Sequence, residues 1–184
     1  MLDHLQVNAV PGASLPRRTG SLASGPVSGS ARTAVLRDAI GLGVAVGLYG
    51  VAFGAAADAA GLDPWQALAM SLLMFTGASQ FALVGVLGAG GGGAAAIGSA
   101  LLLGTRNTVY GVRLLPLLRP AGVLPRVGAA HWVIDETTAL AVAAPDRRLA
   151  RLAFLVGGAT LYLTWNATTV VRFQSTKTDA PVAT

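Results

Sequence analysis

Residues 65–88 read WQALAMSLLMFTGASQFALVGVLG, without one charged side chain. A helix needs about 20 mostly apolar residues to cross the hydrocarbon of a bilayer. The stretch therefore reads as a membrane span, and four more apolar runs accompany it. Residues 39–57 carry no charge until Asp58, and residues 149–171 hold Asn166 near their end. Residues 94–104 are too short to span unless they continue through Arg106, and residues 127–144 contain His131, Asp135 and Glu136. The expected fold is all-α: a polytopic membrane helix bundle of about five apolar segments, the third a candidate for a broken or re-entrant helix.

Composition supports this reading. The chain of 184 residues is 53% hydrophobic and 11% charged, against about 25% charged in a soluble domain. Too few charges remain to cover a soluble surface of this size. Its 24 glycines suit membrane helices, whose backbones approach at small residues. Gly43, Gly47, Gly50 and Gly54 recur at such spacings in the first run and read as a packing face. With no Cys, disulfide scaffolds, thiolate metal sites and thiol nucleophiles are excluded. The net charge of +5 comes from Arg residues beside apolar runs. That pattern fits a lipid bilayer with basic residues on the inner side, not nucleic acid.

Residues 1–37 are rich in Pro, Gly, Ser and Arg without apolar period, and read as a disordered cytoplasmic N-terminal tail. Residues 38–171 form the transmembrane helical domain, and residues 172–184 a polar C-terminal tail. Arg17, Arg18, Arg32 and Arg37 precede the first span, which places the N-terminus in the cytoplasm of a multi-pass plasma-membrane protein. Asp58 and Asp63 suit the outside, and Arg147, Arg148 and Arg151 the inside. Arg113, Arg119 and Arg126 then fall outside, so either the rule is broken there or the third segment is a broken or re-entrant helix.

Polar groups at membrane depth are costly and so mark function. In the second run, Ser71, Thr76 and Ser79 can bond within their helix, whereas the Gln80 amide needs partners inside the bundle. This is a substrate-lining segment or a packing face with a satisfied Gln. Gly77 and Ala78 permit local unwinding. Arg106, flanked by Asn107 and Tyr110, either snorkels, pairs with an acid, or holds a carboxylate in its guanidinium fork. His131 and Asp135, four residues apart, share a helix face, with Glu136 about 100° away. Pairing of Arg106 with Asp135 or Glu136 is the simplest electrostatic arrangement. Tyr162, Trp165 and Asn166 mark an interface or join the polar interior. No phosphate loop, nucleophile elbow or nucleic-acid motif is present.

The order of these features resembles the AzlC family, large subunits of two-component branched-chain amino-acid exporters. The Gly-rich run ending Ala52-Phe53-Gly54 is similar to its opening helix. Met70-Ser71 and Phe75-Thr76-Gly77-Ala78-Ser79-Gln80-Phe81 are similar to its second-helix signature. Arg106 with Tyr110-Gly111 resembles an Asn-x-Arg-x-x-x-Tyr-Gly pattern, with Gly104 in place of the Asn. Asp135-Glu136-Thr137 resembles an Asp-Glu-Thr element, and Tyr162 and Trp165 fit the helix that follows. The resemblance covers about residues 36–171. It implies a proton-driven exporter of Leu, Ile and Val, with no cofactor and with a small hydrophobic AzlD-like membrane subunit as partner. Ser79 and Gln80 would line the path, Arg106 would meet the substrate carboxylate or an acid, and Asp135 or Glu136 would carry the proton. Family members usually continue with further hydrophobic helices where this chain turns polar. A shortened, non-transporting homologue or scaffold is therefore the alternative. A membrane-embedded metal enzyme built on His131, Asp135 and Glu136 is the other, and it needs a third ligand.

Overall fold

The computed structural model describes residues 29–178, with side chains through Val171. Among these residues all regular structure is helical: α1 (Gly29–Gly47), α2 (Gly50–Ala59), α3 (Pro64–Leu73), α4 (Gly77–Gly88), α5 (Gly93–Gly104), α6 (Arg106–Leu118), α7 (Val123–His131), α8 (Asp135–Ala143) and α9 (Arg147–Thr178). Helix α1 starts ahead of the boundary expected at residue 38, because Ala, Leu and Arg dominate residues 31–37 and favour helix. The tail expected at residues 1–28 lies outside the described residues. The backbone of α9 stays helical through Thr178, inside the expected polar tail; residues 179–184 also lie outside.

Helices α1 and α2 make one apolar segment, Gly29–Ala59, tightened where the Tyr49 N–H reaches back three residues to the Val46 carbonyl at 3.0 Å. Among the described residues it is the one helix long and apolar enough by itself to cross a membrane. It lies along α9. Gly43 abuts Thr160, Gly47 abuts Thr164, and Gly50 abuts Thr168 and the Trp165 carbonyl. The rising order of both sets shows that the two helices run parallel. The Thr168 hydroxyl donates to the Gly47 carbonyl at 2.7 Å, a bond that needs the bare glycine backbone close by. The glycine spacing is thus a packing face, as its pattern suggests.

Helix α3 begins with a capping box. Asp63 accepts from the Trp65 and Gln66 N–H groups at 2.8 and 2.9 Å, and the Asp63 N–H donates to Gln66 Oε1 at 2.9 Å. Pro64 occupies the first turn, where no N–H is needed. The helix ends after Leu73. Residues 74–76 are extended or irregular, with Thr76 at φ −153°, ψ 96°, and α4 then runs back. At its far end, a Cβ on Gly88 would lie 3.6 Å from that of Ala60, beside the start of α3. Residues 65–88 are therefore not one span but a hairpin of two half-length helices. Hydropathy does not record direction, so an apolar run that turns back reads like one that passes through.

At Gly90 (φ +79°) the chain turns in a conformation that suits glycine. Helices α5 and α6 then run on through Thr105, which keeps helical dihedrals of φ −57° and ψ −32°. The third segment thus bends without reversing, and its length is about 39 Å at 1.5 Å per residue. Arg119 in the left-handed region (φ 43°) and Pro120 end it.

The reversal comes in the fourth segment. Helix α7 starts beside Pro120 and Arg119, α8 ends at Ala143, and Arg119, Pro125 and Arg151 share one cleft. Leu118, Ala144 and Ala150 pack in one cluster, so α7 and α8 enter and leave at the same end. Residues 127–144 are a second hairpin, interrupted at residues 132–134. His131 closes α7 and Asp135 opens α8, which overturns the expectation that the two share a helix face.

The chain thus has three lengthwise segments, α1–α2, α5–α6 and α9, and two half-depth hairpins inserted from opposite ends. Arg119, Arg126, Arg147, Arg148 and Arg151 gather at the end where α9 starts, and Val35 and Asp38 of α1 lie beside Ala143 and Ala144 there. Asp58 and Asp63 mark the opposite end.

Candidate functional site

The two hairpin tips meet. The Phe75 ring in the first lies 6.1 Å from the His131 ring in the second. Tyr162 on α9 sits against both, 4.9 Å from Phe75 and 5.8 Å from His131, centroid to centroid. Its hydroxyl donates to the Leu72 carbonyl at 3.1 Å, an acceptor released when α3 ends. The second tip is held from within. Thr137, fully buried, donates to the Trp132 carbonyl at 2.6 Å and accepts from the Ile134 N–H at 3.2 Å. Gly158 makes room on α9 for the Trp132 ring. Tyr162→Phe is expected to lower the stability of the purified protein by about 0.5–1.5 kcal/mol, the net contribution of one hydrogen bond to an exposed carbonyl. A thermal unfolding scan identical to the parent would show that the hydroxyl does not hold the first tip.

Three helices start near this centre: α4 at Gly77, α6 at Arg106 and α8 at Asp135. Gly104, ending α5, approaches the Ser79 hydroxyl, which would lie 3.5 Å from a Cβ there. Thr76 donates to Ser79 Oγ at 3.4 Å. Arg106 Nη1 pairs with Asp135 Oδ2 at 2.9 Å, and each side chain stays 41% exposed. A cation at the start of a helix is unfavourable and an anion there favourable, so Asp135 both suits its own helix and offsets the misplaced charge of Arg106. Tyr110, one turn on from Arg106, faces the same carboxylate. Glu136 lies half-buried within reach of both charges. The pair leaves polar capacity over: Arg106 Nε, Asp135 Oδ1 and Asn107 Oδ1 are buried atoms without a hydrogen-bond partner among the described residues.

Two grooves flank this centre. One of about 510 Å³ runs along the α5 half of the third segment, bounded by Met74, Thr76, Ser79, Leu83 and Ala100. The other, of about 410 Å³, runs along the α6 half, bounded by Leu114, Leu118, Arg126, Ala130 and Val133. Both end on Asn107 and Thr108.

Of the residues singled out in the sequence, the structure brings Thr76, Ser79, Arg106, Asn107, Tyr110, Asp135 and Glu136 to this centre. Gln80 is buried on α4 and lines neither groove, and Ser71, Trp165 and Asn166 lie where the first hairpin meets α9. There the Trp165 indole packs on Gly77 and on the Phe53 and Phe81 rings. Among the described residues, fully buried Gln80 has neither amide atom partnered, and Ser71 Oγ, Trp165 Nε1 and Asn166 Oδ1 have no partner either. Asn166 Nδ2 donates to the Tyr162 carbonyl at 2.8 Å. Sequence reasoning gave no role to Thr108, Thr137 or Thr138. A hydroxyl signals little in a helix, although Thr137 stands directly after the two acids.

Helical hairpins that end at mid-depth, with helix starts and polar side chains gathered at their tips, characterise membrane transport components. A family model described as AzlC protein matches residues 41–174. The chain belongs to the AzlC family, membrane-associated transport components and not an enzyme family. No curated protein and no solved structure gives a match.

Proposed function

We propose that this chain is the large subunit of a plasma-membrane exporter of branched-chain amino acids, driven by the proton gradient. The observation that carries the proposal is the meeting of two opposed hairpins at a polar centre between two half-depth grooves. In a bilayer, α1–α2, α5–α6 and α9 would cross, and the hairpins would enter from opposite faces. The arginine-rich end would be cytoplasmic, together with the N-terminus. This arrangement also accommodates Arg119 and Arg126, which a fourth crossing would have put outside.

The exposed face of α5, α6 and α7 supports the membrane reading. Leu101, Leu102, Val109, Val112, Val123 and Leu124 are each at least 67% exposed, an apolar surface that water does not tolerate at this extent. Lipid and a small AzlD-like hydrophobic subunit would cover it. The grooves suit an aliphatic amino acid: Met74, Leu83, Leu114 and Leu118 offer apolar walls, and Asn107 and Thr108 offer polar groups where the grooves meet. Arg106 would take the carboxylate, and Asp135 or Glu136 would carry the proton. Apolar walls discriminate by only about 1–3 kcal/mol per methylene, so Leu, Ile and Val would share the path.

The test is efflux from dipeptide-loaded cells that lack their own exporters, with the chain expressed with and without its small-subunit neighbour. Leucine, isoleucine and valine efflux that requires both chains is the expected result. A stably inserted pair without efflux would favour the scaffold reading. The metal-enzyme reading has less support: the His131 ring packs on Phe75 and Tyr162, and among the described residues no three His, Cys, Asp or Glu gather.

A further inference from the structure

We infer that the cleft between the end of α6, the second hairpin and the start of α9 binds an acidic phospholipid, whose phosphate sits between Arg119 and Arg151. The inference rests on the arginine-rich end facing the cytoplasm of a bilayer, as proposed above. It adds a ligand distinct from the transported solute.

The cleft has a volume of about 230 Å³ and two arginines in its wall, Arg119 where α6 ends and Arg151 near the start of α9. No acid lines it. Both arginines are exposed, and among the described residues neither pairs with a carboxylate. Among those residues, the two acids at this end are engaged elsewhere. Asp38 pairs with Arg37 at 3.1 Å, and Asp146 accepts the Leu149 N–H at 2.9 Å. Helix α9 opens with Arg147, Arg148 and Arg151 and has no acid in its first turn. Cations at a helix start are unfavourable and an anion there is favourable, so this end has an unmet demand for negative charge. Two guanidinium forks from different walls suit the oxygens of one phosphate.

The rest of the wall is mostly apolar, with Leu118, Pro125, Phe154 and Leu155 in it. Charge and apolar surface follow one order on both sides. On α9, Leu155 lies one turn beyond Arg151 on the same face, toward the middle of the helix, and is 56% exposed. On α6, which runs toward this end, Leu118 precedes Arg119. Each wall thus sets its cation outward and its aliphatic side chain inward, as a lipid sets its headgroup and chains in a leaflet. A free phosphate would engage the arginines and leave the apolar half bare. Basic clefts between helices at a cytoplasmic face take anionic headgroups in this way.

The full-length chain is purified in a neutral detergent and titrated with phosphatidylglycerol or phosphatidylcholine, and native mass spectrometry reads the lipid each chain retains. One phosphatidylglycerol per chain is expected, bound about tenfold more tightly than phosphatidylcholine, with affinity falling as salt rises. Excess inorganic phosphate should not displace it. Arg119→Gln with Arg151→Gln should weaken binding about 10- to 30-fold. Arg147→Gln with Arg148→Gln removes the same charge from the same end but outside the cleft lining, and should change it by less than about threefold. Arg119→Lys with Arg151→Lys keeps the charges and should retain most of the binding. Equal losses in the two Gln pairs would show diffuse attraction and overturn the site. Displacement by inorganic phosphate, or equal retention of phosphatidylcholine, would overturn it as well. Lipid retention and leucine efflux are read separately. Selective retention without efflux sinks the export reading alone, and efflux without selective retention sinks the lipid site alone.

Discussion

Asp135→Asn and Arg106→Gln are each expected to cut leucine efflux roughly 10- to 30-fold, with the chain still inserted. A hydrogen bond to a charged group contributes about 1.5–3 kcal/mol. At 41% exposure for each side chain the lower part of that range applies, about 1.5–2 kcal/mol, and 1.4 kcal/mol is tenfold. The double variant separates two roles. If the pair only ties α6 to α8, removing both charges leaves no stranded ion, and efflux should recover toward the parent. If both groups meet the solute, the double variant should stay as inactive as the worse single one. Arg106→Lys keeps the charge and loses the planar fork, and an intermediate rate is the expected outcome. Unchanged efflux in both single variants would remove this centre from the transport path.

Gly47→Leu should disrupt the fold itself. A Cβ at this position falls 2.5 Å from Thr164 Cβ and 2.7 Å from its methyl group, before the rest of the leucine is placed. Overpacking typically costs 1–3 kcal/mol and at times more; here about 3 kcal/mol is expected, because backbone lies directly behind the threonine. Folded yield in detergent and the unfolding temperature would both drop. Gly41→Leu is the control, since a Cβ there meets nothing within 4 Å. Equal behaviour of the two variants would show that α1 does not seat on α9 in solution.

Much of this was legible in the sequence, and the exceptions share a cause. The glycine spacing announced a packing face on the first run, because small residues three and four apart can serve little else on an apolar helix, but not that α9 would fill it. The pairing of Arg106 with an acid followed from the cost of a lone charge at depth. The capping box at Asp63 and Gln66, which marks where α3 begins, went unread. What composition did not reveal was direction. Residues 65–88 and 127–144 are as apolar as spans, and each turns back at its middle. The only local hints were Thr76-Gly77 in one, and His131 with Asp135-Glu136 in the other. A polar cluster halfway along a run marks a tip as readily as it marks a lining face. The wrongly placed Arg119 and Arg126 were the better clue, because they required a segment that does not cross. The division of the polar residues into two groups could not be read either, since Gln80 and Ser79 are neighbours in sequence but only Ser79 lines a groove.

The place of α9 in the chain has a consequence for biogenesis. It supplies Tyr162 to the first tip, room at Gly158 for the second, and the threonine ladder for α1, yet the ribosome makes it after all three. Until α9 is made, both hairpins lack the neighbour that packs against their tips. In the proposed membrane arrangement the earlier segments must therefore wait for it, held by the insertion machinery or by lipid. A ribosome stalled before residue 147 would leave a chain fully inserted and wholly unassembled, a natural substrate for membrane proteases.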